Sequence, residues 1–86
     1  MSLPKILAAA EAGDDSLTAS IPDTWMQGRT AYGGLTAALA LEAAMRSQPD
    51  LPPLRSAQIA FVGPLAGEVT VKTELLRRGR TAAFIE

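Results

Sequence analysis

The chain has 86 residues, of which 48% are hydrophobic, and its 8 basic and 9 acidic side chains give a net charge of −1. This length allows one small domain, and the charge balance provides no basic surface for nucleic acid or for an anionic membrane. The sequence contains no Cys and no His, which excludes a thiolate nucleophile and Ser–His chemistry, so we expect no metal site. The N-terminus lacks the pattern of a secretion signal, and we therefore expect a cytoplasmic protein.

The first third of the chain predicts one short helix, one strand and a loop. Residues 3–12 favour a helix that stops at Gly13, a residue type common at helix ends. Residues 17–21 alternate apolar and polar side chains, as a half-buried strand does, and Pro22 ends that strand. Residues 23–31 read as a loop.

The central prediction is a helix over residues 34–47 that follows Gly33 and Gly34. Ala, Leu, Met and Glu are strong helix formers, and Pro49 ends the run. Residues 35–45 include only two side chains that are not apolar. A helix that is apolar nearly all round must be covered on several sides, so we expect a sheet curled around it.

The last third predicts three strands, over residues 54–62, 68–77 and 81–86, each with alternating side chains. Arg78 and Gly79 suggest a hairpin turn, since Gly79 is able to take a positive φ. Short connections make these strands antiparallel. The sequence given stops within the last predicted strand, so we expect an α+β fold that is incomplete at its C-terminus, with the missing part supplied by further residues or by a second copy.

Three blocks in order resemble one known family. They are Tyr32-Gly33-Gly34 leading into the helix, Phe61-Val62-Gly63-Pro64-Leu65-Ala66-Gly67, and Glu74-Leu75-Leu76-Arg77-Arg78-Gly79-Arg80. They are similar to the "FGG" helix, the "F-x-x-P-G" turn and the "E-x-L-R-x-G-R" hairpin of the acyl-CoA thioesterase II (TesB-like) family. The resemblance covers roughly residues 17–86 and implies a hot-dog fold, in which an antiparallel sheet wraps around a central helix.

The resemblance implies that residues 1–86 form one hot-dog unit of a protein that hydrolyses acyl-CoA to the free acid and CoA. Members of the family usually carry two such units in one chain and use water as the nucleophile, without a metal or a covalent intermediate. The resemblance implies no cofactor beyond the coenzyme A of the substrate. It also implies a partner, which is either a second hot-dog unit or a second copy of the chain in a dimer. The family's best-established catalytic Asp, Gln and Thr lie in the second unit, and nothing in this sequence matches them.

The residues at and within the predicted helix give the catalytic candidates. The backbone N–H groups of Gly33 and Gly34, at the positive end of the helix dipole, can hold a developing oxyanion; the alternative is that the glycines only permit a tight turn. Glu42 is the one acid on the helix, and it is a candidate for the base or nucleophile that some other hot-dog thioesterases place there. The alternative for Glu42 is an ion pair with Arg46, four residues later.

The substrate-binding candidates lie outside the helix. Trp25 and Tyr32 can line an acyl pocket, or they can serve as core or interface residues. Arg78 and Arg80 belong to a basic hairpin tip that suits the phosphates of CoA; the alternative, which the sequence favours, is a solvated turn. Asp23 and Gln27 in the loop can position water, or they are ordinary turn residues.

Four functions remain open from the sequence. The first is acyl-CoA hydrolysis, which needs a second hot-dog unit. The second is a non-catalytic structural or acyl-CoA-binding half of a thioesterase-fold assembly. The third is a hydratase or dehydratase, which would need a His from a partner. The fourth is an unrelated small domain that uses its apolar helix to bind a partner.

Overall fold

The computed structural model describes residues 2–61 and 63–86 as a mixed α+β unit. In chain order its elements are α1 Leu3–Ala9, β1 Glu11–Gly13, β2 Ser16–Ser20, a 3-10 turn Asp23–Trp25, β3 Met26–Gln27, β4 Thr30–Ala31, α2 Gly33–Ser47, β5 Glu68–Lys72, β6 Leu75–Arg78 and β7 Ala83–Ile85. Within the described residues, no helix has the length and apolarity that a bilayer crossing requires.

The largest sheet is antiparallel, with β2 between β1 and β5. Leu17 and Ala19 of β2 point into the core and lie opposite Val71 and Val69 of β5. On the other face, the hydroxyl groups of Thr18 and Thr70 are 3.1 Å apart. The alternation predicted for residues 17–21 is therefore confirmed. The apolar side chains of β2 face the core, and its polar side chains lie on the opposite face of the sheet.

The first helix is shorter than predicted. It ends at Ala9 rather than at residue 12, and Gly13 lies in β1 instead of ending the helix. Residues 11–13 pair with the start of β2 through a tight turn in which Asp15 has a φ of 56°. Pairing with a neighbouring strand outweighs the helical preference of Glu11 and Ala12 here, because a weak local propensity yields to tertiary contacts.

The central helix forms as predicted, one residue earlier, but it is not covered all round. Leu35, Leu39 and Ala43 form a single buried line with a spacing of four residues, which faces β2, β5 and α1. Met45, on another face, is 53% exposed. Among the described residues the three-stranded sheet covers one side of this helix, which is part of the predicted wrap-around arrangement.

The predicted loop over residues 23–31 contains regular structure. After the 3-10 turn, β3 and β4 form a small hairpin in which Met26 pairs with Ala31 and Gln27 with Thr30. Gly28, at the turn of this hairpin, has a φ of 65°. Strands of two residues are too short to produce an alternation pattern, which is why the sequence gives no sign of them.

The strand predicted over residues 54–62 is absent from its described part, residues 54–61, which are exposed and unpaired; Val62 lies outside the described residues. Alternation alone does not make a strand, since the backbone also needs a neighbouring edge to bond with. Within the described chain, β5 pairs with β2 rather than with this segment.

The strand predicted over residues 68–77 is divided in two. β5 belongs to the main sheet, and β6 forms a separate hairpin with β7, with an irregular register between Leu75 and Arg77. The Gly79 N–H donates to the Ala82 carbonyl (2.8 Å) across the connection. The hairpin predicted at Arg78 and Gly79 therefore forms, but through a longer connection. Among the described glycines a positive φ occurs at Gly28 and Gly67 and not at Gly79.

Candidate functional site

An open cleft of about 750 Å³ lies at the N-terminal end of α2. The β3–β4 hairpin forms one wall, with Gln27, Arg29 and Thr30. The segment around Phe61 and Leu65 forms the other wall, and Gly33 and Thr36 of α2 lie between them. This volume is within the range of small-molecule sites, and the mixture of apolar walls with a few polar groups is typical of them.

Hydrogen bonds between the two walls hold the cleft in shape. The Ala31 N–H donates to the Leu65 carbonyl (2.7 Å), and the Leu65 N–H donates to the Thr30 hydroxyl oxygen (2.9 Å). The next stretch of chain is fixed to the end of β2 by the Ile21 N–H, which donates to the Gly67 carbonyl (2.8 Å). The walls are thus tied to the main sheet as well as to each other.

The start of α2 presents two donors near this cleft. The Tyr32 carbonyl accepts hydrogen bonds from the N–H groups of Leu35 (3.0 Å) and Thr36 (3.2 Å), and no side chain caps the helix. The N–H groups of Gly33 and Gly34 have no backbone acceptor within the described residues. The first N–H groups of a helix lack intrahelical partners and lie at its positive end. These two N–H groups can therefore donate hydrogen bonds to an anionic oxygen.

The two glycines differ in what surrounds them. A Cβ atom on Gly33 would meet the Phe61 ring at 3.6 Å, an ordinary contact at the floor of the cleft. A Cβ atom on Gly34 would lie 2.5 Å from Cε2 of Tyr32. Gly34 therefore allows the Tyr32 ring to lie against the helix, whereas Gly33 faces the cleft beneath Phe61.

The predicted aromatic candidates lie beside the cleft rather than in its lining. The Tyr32 N–H donates to the Trp25 carbonyl (2.8 Å), which joins the two residues through the backbone. Trp25 is half-buried and packs against the core. Asp23 begins the 3-10 turn and does not line the cleft, whereas Gln27 does.

Glu42 lies far along α2 from the cleft. Nine residues separate it from Gly33, which is about 13.5 Å of helical rise. Its carboxylate accepts a hydrogen bond from Nε of Arg46 at 2.9 Å, so the ion pair given as the alternative is present. Arg46 also donates to the carbonyls of Ala10 (3.0 Å) and Leu7 (2.6 Å), which connects α2 to the end of α1.

The basic hairpin tip is also distant from the cleft lining. Arg78 donates to the carbonyls of Pro49 (2.7 Å) and Asp50 (2.8 Å), and so fastens β6 to the chain that leaves α2. Arg80 is exposed in the connection between β6 and β7. Neither residue lines the cleft.

Sequence reasoning did not identify Arg29 and Thr36 as cleft residues. One available signal was the position of Arg29 directly after a glycine and four residues before the helix, where a short turn directs it toward the helix start. Thr36 had no such signal, because a lone Thr in an apolar helix fits a buried position as well as a cleft.

Together these features define an α+β unit with an open cleft at the positive end of its main helix. Comparison with known families makes the assignment narrower. The chain belongs to the acyl-CoA thioesterase N-terminal domain family, whose model matches residues 21–86. The predicted resemblance is thereby confirmed at the level of the thioesterase superfamily and its hot-dog fold. No curated protein and no solved structure matches the chain.

Proposed function

We propose that this chain is the thioester-binding half of a TesB-like acyl-CoA thioesterase, which hydrolyses acyl-CoA to a free acid and CoA together with a second hot-dog unit. The observation that carries the proposal is the family match over residues 21–86, which includes the helix start and both walls of the cleft. Fold alone does not establish function. The proposal therefore depends on what the cleft residues can do to a thioester.

In the proposed mechanism, the acyl group lies between Phe61 and Leu65, and the thioester carbonyl points at the N–H groups of Gly33 and Gly34. Water attacks the carbonyl carbon and gives up a proton to a base, while these two donors hold the negative charge that develops on the carbonyl oxygen. The C–S bond then breaks, which releases the acid, and the CoA thiolate takes up a proton. Donors of this kind are preorganised by the helix and need no rearrangement during the reaction; loss of one can lower the rate by about 10²–10³-fold.

The water must lose a proton, and the described cleft lining contains no carboxylate. Glu42 is this chain's own candidate for the base, although its ion pair with Arg46 gives it another role. We propose that the second hot-dog unit supplies the base, and that the exposed apolar side chains of the β6–β7 hairpin contribute to the pairing. That arrangement requires a dimer or a larger assembly.

The second candidate function is acyl-CoA binding without turnover, and the absence of a carboxylate from the described cleft lining favours it. The two functions share the same cleft and the same ligand. They differ in whether a base reaches the thioester once the assembly has formed.

Light scattering during size-exclusion chromatography, followed by an acyl-CoA hydrolysis assay on the same peak, tests the proposal. We expect an assembly larger than one chain. Turnover that stops in Glu42→Gln would assign the base to this chain, whereas turnover that survives would leave the base elsewhere. Binding of acyl-CoA without turnover would favour the second candidate, and a monomer that binds no acyl-CoA would overturn both.

A further inference from the structure

Arg29 is the one charged residue in the described lining of the cleft. Within residues 2–61 and 63–86 its guanidinium has no ion pair and no hydrogen bond. Arg46 and Arg78, by contrast, use their guanidinium groups to bind carboxylate or carbonyl oxygens of the chain itself. Arg29 therefore has donors available to a ligand.

The position of Arg29 is set by the β3–β4 hairpin. Gly28 and Arg29 form the two-residue connection between Gln27 and Thr30, which pair across the hairpin. The positive φ at Gly28 fits a turn with glycine in its first central position, a form that matches the twist of paired strands. The bonds from this hairpin to Leu65 hold the turn in place, so Arg29 is carried by a rigid part of the cleft wall.

Arg29 is exposed at the cleft wall, and a ligand that fills the cleft would remove part of the water around its guanidinium. Removing water from an unpaired charge is unfavourable, so the site favours a ligand that brings a negative group to replace it. Guanidinium groups match carboxylates and phosphates in geometry, with two parallel hydrogen bonds. We propose that Arg29 binds an anionic oxygen group of the substrate. This inference rests on the proposed function, since it takes an acyl-CoA as the ligand.

Two parts of an acyl-CoA can supply that group: a phosphate of CoA, or a carboxylate at the far end of the acyl chain. The first makes Arg29 a general CoA-binding residue, and the second makes the cleft selective for dicarboxylic acyl groups. The chemistry at Arg29 is the same in both cases, and the position of the negative charge in the ligand distinguishes them.

Isothermal titration with thioether probes, which cannot be hydrolysed, tests the inference independently of turnover. The probes are S-butyl-CoA, the neutral S-butylpantetheine and S-(3-carboxypropyl)-CoA. The variants are Arg29→Gln, which removes the charge, and Arg29→Lys, which keeps it. The matched control is Arg55→Gln, because Arg55 is an exposed arginine outside the cleft lining. Circular dichroism and thermal melting confirm that each variant folds.

We expect Arg29→Gln to weaken S-butyl-CoA binding by roughly 10-fold or more, with S-butylpantetheine unchanged, if the partner is a phosphate. If the partner is an acyl carboxylate, S-(3-carboxypropyl)-CoA alone is weakened to that extent. In either case Arg29→Lys keeps more of the affinity than Arg29→Gln does, and Arg55→Gln has no effect.

Equal weakening of all three probes by Arg29→Gln would overturn the inference, because a neutral probe offers no anion. So would unchanged binding of every probe. Both results leave the proposed function standing, since the wild-type protein still binds. Failure of the wild-type protein to bind either CoA probe is a different result, and it would overturn the proposed function as well.

Discussion

At the scale of single residues, Gly34 is the glycine, among those described, at which an added Cβ atom would come closest to a neighbouring atom. An added Cβ would lie 2.5 Å from the Tyr32 ring, so the ring must move. Tyr32 is 48% exposed and can do so. Alanine also favours a helix over glycine by up to about 1 kcal/mol. In Gly34→Ala, the clash with Tyr32 lowers the free energy of unfolding and the helix propensity of alanine raises it. A double-mutant cycle separates the two effects.

We predict that Gly34→Ala increases the free energy of unfolding in a Tyr32→Ala background and has little or no effect in the wild-type protein. The expected coupling is about 0.5 kcal/mol or more, as for residues in direct contact. Gly33→Ala is the control, because its Cβ meets Phe61 at an ordinary 3.6 Å and not Tyr32. Denaturant unfolding measures each value, and the same effect of Gly34→Ala in both backgrounds would contradict the prediction.

The candidate site was predictable from sequence only in part, and the residues show why. The two glycines stand directly before a strong helix pattern, so the sequence alone indicates their place at its start. Apart from Glu42, the partners of Arg46 and Arg78 are backbone carbonyls 28 to 39 residues away. Every residue carries a carbonyl, so no sequence pattern marks such partners. The cleft walls meet through a similar bond, between Thr30 and Leu65.

At the scale of elements, Arg46 joins the two helices. It donates to two carbonyls at the end of α1 and to Glu42 on its own helix. The side chains of Arg46 and Glu42 are 31% and 23% exposed, and ion pairs between such groups four residues apart contribute about 0.3–0.5 kcal/mol. Hydrogen bonds from a charged donor contribute more, about 1.5–3 kcal/mol when well shielded from water. The carbonyl bonds should therefore dominate.

We predict that Arg46→Met lowers the free energy of unfolding by about 1–2 kcal/mol, after allowing for exposure, and that Glu42→Gln lowers it by less than about 0.5 kcal/mol. Hydrogen exchange should speed up in α1 for Arg46→Met only. Arg55→Met is the control for replacing an exposed arginine. Equal losses in the two variants would show that the ion pair, rather than the carbonyl bonds, holds α1 against α2.

The elements that sequence reasoning identified have enough residues to show a period. β2 has its buried face where its alternation puts it, whereas α2 is apolar on nearly every side, so its sequence does not indicate which side is buried. The segment over residues 54–61 also has a period, but it pairs with no strand in the described chain. A hydrophobic pattern indicates which element a segment can form. Whether that element forms depends on pairing with a neighbouring strand. The division of residues 68–77 into β5 and β6 has the same cause, since each half pairs with a different strand.

At the scale of the whole molecule, the chain exposes more surface than its size requires. Its accessible surface is 6302 Å², whereas a compact monomer of 9.0 kDa exposes about 4,900 Å². Its radius of gyration is 13.3 Å, against about 12 Å for a compact chain of this length. The excess of about 1,400 Å² is more than one partner buries in a standard interface, about 800 Å². This surface supports the proposed pairing with a second unit.

The β6–β7 hairpin carries part of that excess. Leu75, Leu76 and Phe84 are exposed on it, and a two-stranded hairpin is marginally stable without further packing.

We predict that Leu76→Glu weakens self-association by at least about 10-fold, because a charge would be buried in the interface. Met45→Glu is the matched control: Met45 is 53% exposed and Leu76 is 56% exposed, but Met45 lies on α2. Light scattering across a concentration series measures both. Selective loss in Leu76→Glu would assign the pairing surface to the hairpin, whereas equal loss in both variants would mean that association follows general apolar exposure.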